Sequence, residues 1–121
     1  MSQDPPQESL AKRGESLARK HLKKKGYRIL ACNYACPIGE LDLIALDGKT
    51  LVFVEVKTLR NDRGIQPADS VHPAKQAKIR KTARFYLSAK RADDVPARFD
   101  VVAITLPDAG PPKIEHLTDA F

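Results

Sequence analysis

Residues 39–57, GELDLIALDGKTLVFVEVK, decide the fold of this chain. Two runs of aliphatic and β-branched residues flank Asp47-Gly48, a dipeptide that tolerates the positive φ angles of a tight hairpin turn. The stretch therefore predicts a β-hairpin. Both runs also carry charges where a core strand would carry more valine or leucine. These charged residues are Glu40, Asp42, Glu55 and Lys57.

The length of the turn decides which charged residues face each other. A two-residue loop at Asp47-Gly48 sets Glu40 opposite Glu55. A four-residue loop sets Asp42 opposite Glu55 instead. In either register Asp42, Glu55 and Lys57 share one face of the sheet, whereas a three-residue loop would separate them. Neighbouring carboxylates repel each other unless a cation joins them, and an all-oxygen cluster suits Mg²⁺ or Mn²⁺, so the hairpin predicts half of a metal site.

The composition limits the classes to which the protein can belong. Its 121 residues suffice for a modest core, and 21 Lys+Arg against 15 Asp+Glu give a formal net charge of +6. This charge favours polyanionic partners, with nucleic acid as one candidate among several. Two cysteines, Cys32 and Cys36, are too few for a secreted disulfide scaffold. No apolar run predicts a membrane span or a cleaved leader, so we expect a cytoplasmic protein without membrane contact.

The remaining pattern predicts helices and strands around the hairpin. The predicted elements are a helix at Glu8–Lys25, a strand at Tyr27–Tyr34, a helix at Pro73–Arg91, and strands at Phe99–Leu106 and Ile114–Leu117. Residues 1–7 are expected to be a disordered lead-in, and residues 8–121 one domain. The polar segment Thr58 to His72 predicts a loop over the site. This order is typical of an α/β sheet flanked by helices.

Two polar residues lie beside the apolar stripes of the predicted helices. Glu15 borders the stripe of the first helix, where it either turns toward the site or pairs with Arg19 one turn on. Gln76 lies near the start of the second helix on its apolar side. It is equally suited to bonding a site residue or substrate and to capping the helix or filling the edge of the core.

Other charged residues also admit two interpretations. Lys75, Lys78 and Lys81 form one edge of the second helix, either as an ordinary solvated face or as a surface that neutralises phosphates. Asp100 interrupts an apolar strand. An ion pair with Arg98 or with a cation of the second helix is the preferred explanation, and a place in the site is the alternative.

Together these residues resemble a known superfamily. Asp42, followed thirteen residues later by Glu55-Val56-Lys57 and preceded by a helix bearing Glu15, looks like the PD-(D/E)xK nucleases, most similar to the Holliday-junction resolvases. From about Ala11 to Phe121 the chain more closely resembles the YraN-type family of small uncharacterised proteins. The motifs that carry this resemblance are Gly14-Glu15, Leu22 with Gly26-Tyr27, residues 39–44, residues 53–58, Lys75-Gln76 and Tyr86-Leu87.

The resemblance implies a fold and a metal-dependent phosphodiesterase site. The fold would be a restriction endonuclease-like core, with a mixed sheet of four to five strands and the order helix, three-strand meander, helix, strand. Asp42 and Glu55 would bind Mg²⁺ or Mn²⁺, with the Val56 carbonyl as a further ligand. Lys57 would orient or help to deprotonate the attacking water and stabilise the developing charge. Glu15 would be the accessory metal or water ligand.

Several implied roles stay open. Glu40 competes with Glu15 as the third acid, while Gln76 and Lys75 would support the site from the second helix. Leu59 stands where the YraN-type pattern has an arginine, so a phosphate contact is either missing or moved to Arg60. Resolvase-like relatives also make a homodimer an expectation.

These observations predict an endonuclease that acts on DNA, with branched or otherwise structured DNA as the expected substrate. A non-catalytic nucleic-acid-binding module of the same fold is the alternative. A basic adaptor, in which the Asp-Glu-Lys set is only an ion-pair network, is a third interpretation.

Overall fold

The computed structural model describes residues 10–60 and 71–121. Over these residues it contains two helices and five strands: α1 Leu10–Lys24, β1 Arg28–Ala35, β2 Glu40–Asp47, β3 Thr50–Leu59, α2 Pro73–Ala89, β4 Ala97–Thr105 and β5 Lys113–Leu117. The predicted mixed α/β fold and element order are confirmed, with ends that shift by one or two residues. The predicted lead-in and most of the predicted loop between β3 and α2 lie outside the described residues.

The five strands form one sheet in sequential order, β1-β2-β3-β4-β5. Neighbouring strands are antiparallel except β3 and β4, which run parallel. A parallel pair needs a long crossover, and α2 lies in that connection. Neither helix in the described part of the chain is long and apolar enough to cross a membrane.

The two helices cover opposite faces of the sheet because β3 alternates between them. Val52 and Val54 pack in one cluster with Ala18 and Leu22 of α1. Phe53, between them, packs in the other cluster with the apolar residues of α2. Both faces of the central strands are therefore buried, as is usual for strands that lie beneath crossover helices.

The β2–β3 hairpin has the register that was predicted for a four-residue loop, but a two-residue turn closes it. Asp47 pairs with Thr50, so the two-residue turn is Gly48-Lys49 and not Asp47-Gly48. Gly48 takes a φ of 60° at the first turn position, as in a type II′ turn. Asp47 stays in the strand, where its carboxylate accepts a 2.9 Å hydrogen bond from Arg98.

This register corrects the expected position of Glu40. Leu43 pairs with Val54, and continuing the register sets Asp42 opposite Glu55. The register that would place Glu40 opposite Glu55 is therefore wrong. Glu40 instead pairs with Ala35 of β1.

Asp100 belongs to a buried polar cluster below α1, which confirms the preferred interpretation of an ion pair with Arg98. Arg98 Nε donates to Asp100 Oδ1 at 3.0 Å, and the Asp119 backbone N–H donates to the same oxygen at 2.9 Å. His116 Nε2 donates to Oδ2 at 2.8 Å, while Lys25 Nζ donates to His116 Nδ1 at 2.8 Å. The cluster joins the end of α1 to β4, β5 and the C-terminal residues.

Helix α1 approaches β3 closely at Gly14. A Cβ atom at this position would overlap Thr58 Oγ1 and lie 3.1 Å from Thr58 Cβ and 3.2 Å from its Cγ2. Rotation of the threonine therefore cannot clear the space. Glycine at this position lets the helix backbone rest against the end of β3, directly beside Lys57.

Gly14→Ala is expected to destabilise the fold by about 1–3 kcal/mol, because overpacking exceeds the gain in helix propensity. Thr58→Ala in the same chain should recover most of this loss, since it removes both Oγ1 and Cγ2. Urea denaturation of the two single variants and the double variant measures the coupling between the two sites. Additive losses would contradict the close contact between α1 and β3.

Asp100→Asn is expected to lower the free energy of unfolding by about 3–5 kcal/mol at pH 7, because it leaves Arg98 with one fewer buried ionic partner. Burial alone would raise the pKa of Asp100, but hydrogen bonds from Arg98, the Asp119 N–H and His116 outweigh it and hold the pKa below its usual range. The stability that Asp100 contributes is therefore present above the unfolded-state pKa of about 3.9 and is lost as pH falls through the lower folded-state value.

Urea denaturation at pH 7 and at about pH 3 tests this dependence. The difference between wild type and Asp100→Asn should narrow at the lower pH. An equal difference at both values would show that the charge of Asp100 is not what stabilises the cluster.

Candidate metal and nucleic-acid site

The strands β2 and β3 part at Asp42. Their backbone pairing stops at Leu43 and Val54. Beyond that point the Val56 N–H donates a 2.9 Å hydrogen bond to Asp42 Oδ2, a side-chain oxygen. This contact leaves Oδ1 of Asp42 at the opening between the strands.

The simple alternation of faces also stops at this opening. Leu43 packs with α1, yet Leu41, two residues earlier, packs with α2. Opposite this part of β2, Asn33 has a φ of 52°, a left-handed conformation inside β1. The predicted common face of Asp42, Glu55 and Lys57 therefore does not follow from alternation alone, and the position of Asp42 is set by its bond to Val56.

Glu55 is a buried acid beside a second acid. Its residue is only 5% exposed. Burial, followed by the negative charge of Asp42, raises the pKa of Glu55. The positive charges of Lys75 and Lys57 oppose the rise without cancelling it. The structure thus brings Asp42, Glu55 and Lys57 into electrostatic contact, and the two carboxylates together favour a bound cation.

Lys75 reaches Glu55 from the first turn of α2. Its Nζ lies 3.1 Å from Glu55 Oε2. The predicted support from α2 is therefore an ion pair with one of the two acids. The sequence pattern had placed Lys75 on a basic edge, and only the crossover between β3 and α2 brings it over this carboxylate.

Gln76 joins the first turn of α2 to the residue before its N-cap, and the predicted capping role is not formed, because no side chain in the described residues caps the N-terminus of this helix. Its Nε2 donates to the Val71 carbonyl oxygen at 2.8 Å. The backbone N–H of Gln76 donates to the His72 carbonyl, also at 2.8 Å. These two bonds fix the start of α2 and thereby the position of Lys75, its sequence neighbour. A direct role for Gln76 in catalysis stays a prediction.

The third acid remains a choice between Glu15 and Glu40. Glu15 is half-buried and follows Gly14, which touches Thr58 at the end of β3. Its predicted pairing with Arg19 is not formed in the described residues, where Arg19 Nη1 lies 4.0 Å from Cys32 Sγ. Among residues 10–60 and 71–121 no three His, Cys, Asp or Glu side chains are close enough to hold one metal ion.

Two cavities lie between α2 and the turn that joins β1 and β2, and we call them together the groove. One cavity of about 300 Å³ is lined by Gly39, Glu40, Lys75, Lys78 and Ile79. A second, of about 460 Å³, is lined by Pro37, Ile38, Ala74, Ala77, Lys78 and Lys81. Lys78 lines both cavities, so the predicted lysine edge lies beside two adjacent cavities, and Lys75, the partner of Glu55, lines one of them. The wall formed by residues 37–39 was not anticipated, because nothing in its sequence marks it as a binding surface.

The cations on the two flanks of α2 differ in whether they already pack against other residues of the protein. Arg80 lies on the other flank, where its Cζ is 4.8 Å from the centroid of the Phe99 ring and 5.6 Å from that of Phe121. This packing engages its guanidinium with the aromatic residues. Lys78 and Lys81 remain exposed beside the groove, and Arg60 is exposed at the end of β3.

Comparison with known proteins identifies the family. The sequence model described as Uncharacterised protein family UPF0102 matches residues 14–104. The chain belongs to this family. It is 51% identical over 113 residues to a UPF0102 protein of Geotalea uraniireducens, covering 93% of this chain and 89% of the relative. A UPF0102 protein of Geobacter sulfurreducens is 50% identical over 112 residues, covering 93% and 88%.

A third UPF0102 relative, from Syntrophus aciditrophicus, is 51% identical over 110 residues, covering 91% of this chain and 86% of the relative. These matches confirm the resemblance to the YraN-type proteins, which are the UPF0102 family. The matched range of the family includes Glu15, Asp42, Glu55, Lys57 and Gln76.

Glu55→Gln is expected to raise the free energy of unfolding by about 1 kcal/mol at pH 8 in EDTA. The pKa of Glu55 is raised in the folded state, so its protonated form is the stabilising one. That stability is complete below the unfolded-state pKa of about 4.3 and is lost as pH rises through the folded-state value.

Urea denaturation in EDTA at about pH 4 and pH 8 tests this expectation, with Glu40→Gln as an exposed acid on β2 for comparison. The gain from Glu55→Gln should be present at the higher pH and absent at the lower. A variant less stable than wild type at pH 8 would contradict the raised pKa.

Proposed function

We propose that this protein is a divalent-metal-dependent endonuclease that hydrolyses phosphodiester bonds of DNA. The observation that carries the proposal is the buried Glu55 carboxylate, which lies beside a second acid, Asp42, and has its recorded ion pair with the exposed Lys75. Perturbed acids of this kind cluster at functional sites.

The donor atoms fit Mg²⁺ or Mn²⁺. Asp42 keeps one carboxylate oxygen beyond its bond to Val56 N–H, and Glu55 contributes a second carboxylate. A strand residue directs its N–H and C=O toward the same neighbouring strand, so the Val56 carbonyl is expected on the side of Asp42. Two carboxylates and a carbonyl suit a hard cation that keeps several water ligands. When bound, such an ion polarises a phosphoryl oxygen and lowers the pKa of a coordinated water.

Lys57 supplies the other half of the chemistry. It lies two residues beyond Glu55 on β3 and is close enough for its charge to lower the pKa of that acid. In the proposed reaction its Nζ orients the attacking water and stabilises the negative charge that develops on the phosphate. Glu15, beside the end of β3, is the proposed accessory acid, with Glu40 as its competitor.

The substrate is inferred from the groove. Lys78 and Lys81 border it, and exposed cations in a row match the regular charges of a phosphate backbone. Arg60 is the proposed contact at the opposite end of the site. Branched or structured DNA remains the proposed substrate. We also propose a homodimer, from the likeness to resolvases, and a cytoplasmic location, from the composition.

A non-catalytic nucleic-acid-binding module is the second candidate. One observation favours it: two acids, and not three, form the centre of the described site. In that case the groove would bind phosphates while Lys75 neutralises Glu55 permanently.

Wild-type protein with Mg²⁺ or Mn²⁺ is expected to cleave one or more of linear duplex, single-stranded and four-way-junction DNA. Asp42→Asn and Glu55→Gln should each lower the rate by about 10²-fold or more, because each removes charge from the metal site. Gel assays with labelled substrates measure the rates, and EDTA should abolish cleavage. Glu115→Gln, which removes one negative charge from an exposed acid of β5 outside the site, is the control.

The outcomes separate the candidates. Cleavage that survives in Glu55→Gln would overturn the assigned site. Binding that weakens with salt but never leads to cleavage would favour the binding module. The absence of any salt-sensitive binding to nucleic acid would favour the basic adaptor.

A further inference from the structure

The ion pair between Lys75 and Glu55 is strongly asymmetric. The Lys75 side chain is 56% exposed, whereas that of Glu55 is 6% exposed. A long cationic side chain thus extends from the surface of α2 onto an acid that is fixed inside the sheet. Glu55 is confined by β3 and its neighbours, while most of Lys75 lies in solvent and is free to adopt other rotamers.

The position of the Lys75 ammonium conflicts with a bound metal ion. Its Nζ lies 3.1 Å from Glu55 Oε2, one of the two oxygens through which Glu55 would bind a cation. Two positive charges on one carboxylate repel each other, and the repulsion is strongest where water is excluded. Release of Lys75 costs little because an exposed lysine is readily solvated.

The cavity that Lys75 already lines offers a released Lys75 a space large enough for a phosphate group. This cavity of about 300 Å³ also contains Lys78, which makes no ion pair with Glu55. Gly39, Glu40 and Ile79 complete the lining of the cavity. Two lysines around such a space match a phosphate group as ligand, because its oxygens accept hydrogen bonds from both ammonium groups.

We propose that Lys75 exchanges partners, neutralising Glu55 without metal and binding a phosphate of the nucleic acid in the cavity once a divalent ion occupies Asp42 and Glu55. The inference rests on the proposed function, whose metal site it uses. Metal and nucleic acid then bind cooperatively, and by linkage each strengthens the other by the same factor. Lys78, which has no such exchange to make, binds phosphate with or without metal.

The first test is calorimetric titration of Mn²⁺ at pH 8 without nucleic acid. Lys75→Met should bind Mn²⁺ roughly three- to tenfold more tightly than wild type, since it lacks the cation that competes for Glu55. Lys78→Met removes the same charge from the same cavity and corrects for long-range electrostatics, so its affinity should change much less. Lys75→Arg retains a cation and should bind Mn²⁺ as wild type does.

The second test is fluorescence anisotropy with a labelled four-way-junction DNA, with and without Ca²⁺, an ion with the same preference for oxygen ligands. Wild type should gain at least about fivefold in DNA affinity from the metal. Lys75→Met should lose most of this gain while keeping its metal-free affinity. Lys78→Met should bind more weakly in both conditions and keep the gain.

Each result has a distinct meaning. Mn²⁺ affinity that is unchanged or weaker in folded Lys75→Met, or a metal-dependent gain that persists in it, would overturn the exchange while leaving the proposed nuclease site intact. Failure of wild type to bind Mn²⁺, or binding unaffected by Asp42→Asn, would overturn the metal site itself and the exchange with it. Far-ultraviolet circular dichroism and thermal denaturation confirm that each variant is folded.

Discussion

One hydrogen bond, from the Val56 N–H to the Asp42 carboxylate, organises the candidate site. It replaces a backbone pair at the point where β2 and β3 part, so the hairpin opens without leaving the Val56 N–H unsatisfied. The negative charge of the Asp42 carboxylate then lies near Glu55, a buried residue of β3. Compensating cations are then required, and the structure provides them from two directions, Lys57 on the same strand and Lys75 from the crossover helix.

Two acids are buried in the described part of the chain, and their charges are compensated in different ways. Asp100 receives hydrogen bonds from Arg98, His116 and a backbone N–H, and these bonds lower its pKa in spite of complete burial. Glu55 has a single ion pair to an exposed lysine, and its pKa is raised. Asp100 therefore ties the end of α1 to the sheet, whereas Glu55 retains the capacity to bind a ligand. This contrast supports the proposed role of Glu55 in the site.

Local sequence was sufficient for the order of the elements. The alternation around Asp47-Gly48 predicts the hairpin, and the helical stripes predict α1 and α2, because these patterns depend on residues close in sequence. The turn was misplaced by one residue, since Asp47 is held in β2 by Arg98, about fifty positions away. The ion pair of Lys75 and the break in alternation at Leu41 likewise depend on contacts between distant elements. The acids of the site were predictable because charged residues are unusual in apolar strands. Their partners, Lys75 and the Val56 N–H, were not predictable from local sequence.

The hairpin places its turn and its acids at opposite ends. Gly48 and Lys49 are exposed, and the five residue-to-residue steps from Asp42 to Asp47 span roughly 17 Å along the strand. Exposed turn tips are the positions at which chains best tolerate interruption. The peptide bond between Gly48 and Lys49 is therefore a suitable point for circular permutation or for insertion of a reporter domain. A circularly permuted chain would carry Asp42 near its new C-terminus and Glu55 near its new N-terminus. The sheet, and no longer the hairpin turn, would then hold the two acids together.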